Sequence, residues 1–148
     1  MSLFEEAKKY EGTHEIKGPL SNQQIVEWIE DNPHDKLNDE VPWCSAFVNF
    51  ICKQCGYERS HSNHARSWLD IGEHINEADA QKGDIVILKS DSSQPGPDDL
   101  EASGHVGFFS RYVDPNLVRI LGGNQNDMVC KKNYDRDNIL GIRRVSNE

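Results

Sequence analysis

Up to Gly72 the apolar residues of this chain recur every three to four positions; beyond it they alternate. The first twenty residues read as a short amphipathic helix and its exit. The stretch "SNQQIVEWIEDN" (21–32) predicts a helix capped by Ser21, with Ile25, Trp28 and Ile29 on one face. Pro33 and the polar run to Asn38 end it. A further helix is expected from Asp39 or Glu40, with Pro42 in its first turn, where proline fits. Cys44, Phe47, Val48, Ile51 and Cys55 then share one apolar face, and Gly56 is a natural stop. "SNHARSWLDIG" (62–72) predicts another, short helix.

The second half predicts four strands, at 83–89, 104–112, 117–124 and 139–145. Along 104–112, His105, Gly107 and Phe109 face one way, and Val106 and Phe108 face the other. The turn "VDPN" joins the second strand to the third. Between the first two strands lies an acidic, turn-rich loop, "SDSSQPGPDDLEASG" (90–104). It offers no core to pack and leads straight into His105, so it is expected to be mobile and to border a substrate groove. Helices followed by an antiparallel sheet make this an α+β fold, in a single domain over 1–148.

A length of 148 residues, with 36% hydrophobic and 28% charged, fits one soluble globular domain. No apolar run approaches the roughly 18 residues of a membrane helix. The amino-terminal residues lack the basic-then-apolar order of a signal peptide. The chain is expected to be made in the cytoplasm, and any action on a cell wall would need a non-classical exit such as phage lysis or a secretion machine. The net charge of −9 argues against nucleic acid as a partner. Four cysteines permit two disulfides that a domain this size does not need. "CKQC" (52–55) has redox-dithiol spacing but sits inside a helical run, and no second metal-ligand pair accompanies it, so helix packing is the expected role.

Cys44 is the residue that asks for chemistry. It opens a helix, where free N–H groups and the positive dipole end favour a thiolate and can hold an oxyanion. A nucleophilic cysteine needs a base, and the base needs an orienting group. His105 opens a strand between two glycines, Gly104 and Gly107. Asn124 ends the neighbouring strand of the same hairpin and can lie beside it, with Gln125 or Asp127 next in line. This is Cys–His–Asn logic in chain order.

The pieces "DEVPWCSAFVNF", "HARSWLDIG", "KGDIVIL", "GHVGFF" and "LGGNQND…Y…ILGIRR" resemble the NlpC-type and CHAP-type cell-wall peptidases of the papain-like superfamily. The likeness is strongest to the compact single-domain branch of phage lysins and bacterial peptidoglycan hydrolases. The resemblance implies a papain-like fold with the nucleophile helix packed on the sheet. It also implies Cys44 as nucleophile, His105 as base and a polar third residue one strand later, which falls on Asn124. Trp43, Trp68, Gln125 and Asp127 are the expected substrate contacts. The oxyanion side chain of the family maps onto no single residue; Tyr10, Gln23 and Gln24 are candidates, and Glu15 and Asp39 are further helpers.

The resulting expectation is a metal-free, cofactor-free monomer that cuts an amide bond in peptidoglycan stem peptides through a thioester. An immunity or delivery protein is a further partner that this route would call for. Two other readings stay open: a cysteine deamidase or acyltransferase acting on a protein, and a wall-binding module with a dead site.

Overall fold

A computed structural model describes residues 2–16, 21–32 and 42–147. Three α-helices, α1 (Leu3–Lys8), α2 (Gln23–Glu30) and α3 (Cys44–Cys55), precede the strands β1 (Glu73–His74), β2 (Ile85–Leu88), β3 (His105–Asp114), β4 (Leu117–Gln125), β5 (Met128–Asp135) and β6 (Ile139–Arg144). The strands form one sheet in the order β1-β6-β2-β3-β4-β5, with every neighbouring pair antiparallel. The architecture is the α+β class that the change of period predicts.

Local sequence explains most boundaries. Asn22 caps α2, its Oδ1 accepting from the backbone N–H of Gln24 (2.9 Å) and Ile25 (3.4 Å), so the cap falls one residue after Ser21. Ile25, Trp28 and Ile29 are buried, as their spacing requires. α3 begins at Cys44, not at residue 39 or 40; Asp39 and Glu40 lie outside the described residues. Pro42 precedes the helix, and Trp43 at the N-cap has φ −123° and ψ 18°. Tertiary packing wins here: the Trp43 indole is fully buried, and its Nε1 donates to Glu15 Oε1 at 3.1 Å.

The expected helix over 62–72 shrinks to a 3-10 helix, Ala65–Asp70. The residues before it are held to α3 instead. Ser45 Oγ donates to Ser62 O (2.6 Å), and Asn49 Oδ1 accepts from His61 N–H (3.0 Å). Two strands escaped the alternation test. β1 is too short to show a period. β5 is an edge strand of mostly polar residues with one buried position, Val129. At the β3–β4 turn, Asp114 Oδ1 accepts from the N–H groups of Asn116 and Leu117.

Apolar residues fill both faces of the sheet. Ile85, Ile87, Val106, Phe108, Leu121 and Val129 pack with the helices, around Phe47 and Ile51 of α3. Val86, Leu88, Phe109, Val118, Ile120 and Ile142 form a second cluster. α3 can lie close to β4 because of Gly123, where a Cβ would stand 2.6 Å from Trp43 Cζ3 and 2.9 Å from Phe47 Cβ.

Candidate active site

The packing of α3 on the sheet puts the start of the helix beside the start of β3. Cys44 and His105 both line a cleft of about 430 Å³, together with Pro42, Asn63, His64, Ala65, Asn124 and loop residues from Ser90 and Ala102–Gly104. Cys44 is 4% exposed, and its sulfur faces the backbone N–H groups of Val106, Ser45 and Cys44 itself. Those donors favour the thiolate, yet burial outweighs them and pushes the thiol pKa up. The helix start therefore does not give the acidic thiol that its position suggests. Trp43 supplies no side-chain cap.

The His105 ring is held from its far edge. Gln125 Oε1 lies 2.8 Å from His105 Nε2, while Gln125 Nε2 donates to Ile120 O (3.1 Å) and Cys130 O (2.6 Å). With both amide hydrogens used, the Gln125 oxygen must accept, so His105 Nε2 carries the proton. Nδ1 is left with a free lone pair, the arrangement a general base needs. Tyr134 stacks on the imidazole at 5.1 Å between centroids, with its hydroxyl 3.2 Å from Nε2. Burial lowers the His105 pKa to about 4; the Gln125 bond opposes this and the Lys132 charge adds to it. Burial likewise pushes the Tyr134 phenol up. Thiol and imidazole are thus both neutral near pH 7.

Gln125, rather than Asn124, holds the hydrogen bond to His105. The reason is local. β4 loses register with β5 between Gly122 and Gln125, and Asn124 takes a left-handed φ of 58°. The break reverses which of the two neighbours faces the imidazole. Gly122 completes the seat, since a Cβ there would stand 2.7 Å from Gln125 Oε1. Asn124 lines the cleft instead. Among the expected substrate contacts, Trp43 and Trp68 are fully buried and Gln125 is 1% exposed, so all three build the site from behind. Trp68 Nε1 donates to Ser45 Oγ at 2.9 Å. Asp127 is exposed on the β4–β5 turn, where its carbonyl accepts from Glu15 N–H at 2.9 Å.

The oxyanion candidates lie elsewhere. Tyr10 packs edge-on against Trp28, Phe47 and Phe50, and Gln24 lines a different cavity with Lys53. Asp39 lies outside the described residues. The four cysteines are free thiols; Cys52 is buried in α3 and Cys55 half-buried at its end. Tyr134 was missed by sequence reasoning although it belongs to the quoted motif, because its strand shows no alternation. Asn63 and His64 were missed because their loop was read as helix.

The CHAP domain family matches residues 36–124, more than half of the chain and a span that contains Cys44, His105 and Asn124. The chain belongs to the CHAP domain family. CHAP domains are generally cysteine peptidases or amidases, in a family of peptidoglycan hydrolases. Among solved structures, this CHAP domain is similar to the P60 domain of antigen MAP1204 from M. avium subspecies paratuberculosis. The TM-score is 0.53 at 15% identity, over 96% of this chain and 93% of that one, which shows a shared papain-like fold. No curated protein sequence matches it. Among the described residues, no helix is long and apolar enough to cross a membrane.

Proposed function

We propose that this CHAP domain hydrolyses an amide bond in peptidoglycan stem peptides, with Cys44 as nucleophile, His105 as general base and Gln125 as the group that orients it. The observation that carries the reading is the Gln125–His105 bond, which leaves Nδ1 basic in a cleft shared with Cys44. The stem peptide as substrate rests on the family.

The chemistry follows from two neutral partners. The Cys44 thiol passes its proton to His105 Nδ1 as sulfur attacks the carbonyl carbon, so no free thiolate accumulates beforehand. Negative charge moves to the carbonyl oxygen, and the N–H groups at the start of α3 turn from the sulfur to receive it. The imidazolium then gives its proton to the departing amine as the C–N bond breaks, leaving a thioester. Water, deprotonated by the same imidazole, releases the acid and restores the thiol. Tyr134 and Gln125 keep bulk water from the Nε2 edge throughout.

The test is to digest purified sacculi with the wild type and with Cys44→Ala, then compare fragment masses. New amine and carboxylate ends that appear only with the wild type are expected. Unchanged sacculi, together with release of ammonia from a glutamine-bearing protein, would move the same site to deamidation.

A further inference from the structure

The buried residue that this mechanism leaves unused is Arg66. It is fully buried, within the 3-10 helix that begins at the cleft residue Ala65 and follows Asn63 and His64. Its guanidinium bonds to backbone carbonyls of the acidic loop alone: Nε to Ser103 O (3.0 Å), Nη1 to Gly96 O (2.6 Å) and Asp99 O (3.0 Å), and Nη2 to Pro95 O (2.9 Å). Four donors fan out to four points of one loop, a shape that a planar guanidinium fits and an ammonium does not. Among the described residues the loop's other hydrogen bonds are internal. Within it, Asp99 N–H bonds to Gly96 O, and Asp99 Oδ1 caps the N–H groups of Glu101 and Ala102. Ala102, Ser103 and Gly104 line the cleft, and so do His64 and Ala65, the two residues just before Arg66 in the chain.

We infer that Arg66 is a positioning residue that ties the two walls of the cleft together. It makes the 95–103 loop a preformed peptide-binding wall, not the mobile border that its composition suggests. The inference rests on the proposed hydrolase reading for its substrate, though not for the clamp itself. The wall would act on peptide binding, while the bond between Gln125 and His105 lies outside it. Among the described residues no carboxylate pairs with this buried cation, and the loop carbonyls compensate it, so cation and loop hold each other in place.

Arg66→Lys and Arg66→Ala test this on muropeptides from purified sacculi. In Arg66→Lys, kcat/KM should fall about tenfold to 10²-fold, carried mostly by KM, with the acid limb of the pH profile unmoved. In Arg66→Ala, added guanidinium ion below its denaturing range should restore KM in part. A folded Arg66→Lys with wild-type KM, or a loss carried by kcat together with a displaced acid limb, would overturn the inference. If neither variant folds, hydrogen exchange on the wild type decides. The Asp99, Glu101 and Ala102 amides should then exchange nearly as slowly as those of β3, and exchange at the unprotected rate would refute a fixed wall. If the wild type leaves sacculi intact, the hydrolase reading fails, and the exchange measurement still judges the clamp.

Discussion

At the scale of single residues, burial decides how the site works. The His105 imidazole, ordinarily near 6.5, is lowered to about 4. Only the neutral ring can accept the thiol proton, so lowering its pKa keeps the base competent to a lower pH. kcat/KM should therefore stay level from neutrality downward and fall through about pH 4; an acid limb near 6.5 in a pH-rate profile would contradict this. Gln125→Leu removes the acceptor that fixes the tautomer and should cut kcat on the order of 10²-fold. Asn124→Gly keeps the left-handed backbone and should cost far less. Steady-state kinetics on the two variants rank them, and a dead Asn124→Gly beside an active Gln125→Leu would restore Asn124 to the orienting role. That Cys44 and His105 meet in one cleft was legible in the sequence, because a helix packed on a sheet and a strand start are visible in the periodicity. Which neighbour bonds to His105 was not, because a register break in β4 inverts the parity that alternation relies on.

At the scale of elements, two adjacent glycines do different jobs. Gly123 admits α3 to the sheet, whereas Gly122 makes room for the Gln125 amide. Gly123→Ala should destabilise the fold by about 1–3 kcal/mol through overpacking against Trp43 and Phe47. Gly122→Ala meets the end of a flexible side chain and should lower activity more than stability. Urea unfolding beside kinetics separates the two; equal stability losses would mean that α3 and Gln125 are not distinguished by these positions. The apolar faces of α2 and α3 were readable, apart from the half-buried Cys55, and all four expected strands fall within two residues of their predicted ends. β5 was unreadable because an edge strand with one buried residue has no apolar face to announce it. The tie between the acidic loop and Arg66 is the same lesson in reverse. Its anchor, Arg66, lies some thirty residues upstream, and no local pattern reveals so distant a partner.

At the scale of the whole molecule, the lowered His105 pKa is also a statement about stability. The unfolded chain binds a proton near 6.5 that the folded one refuses until about 4. Stability from this group is complete above pH 6.5, falls as the pH drops through that window, and amounts to about 3 kcal/mol. Carboxylates add slopes of their own, so the contribution is read as the difference between wild type and His105→Gln in denaturant titrations at several pH values. Parallel curves would show that the imidazole is not excluded from water. The order of strands carries a different consequence. β6, the last strand among the described residues, lies between β1 and β2, and it is hydrogen-bonded to both. Gln125 and Tyr134, which hold His105, also come late in the chain. During synthesis the helices and the thiol emerge first, but the sheet that supports them has a gap until its final strand arrives. A chain that stops short of β6 thus carries Cys44 without the cleft around it, and closure of the sheet completes the cleft.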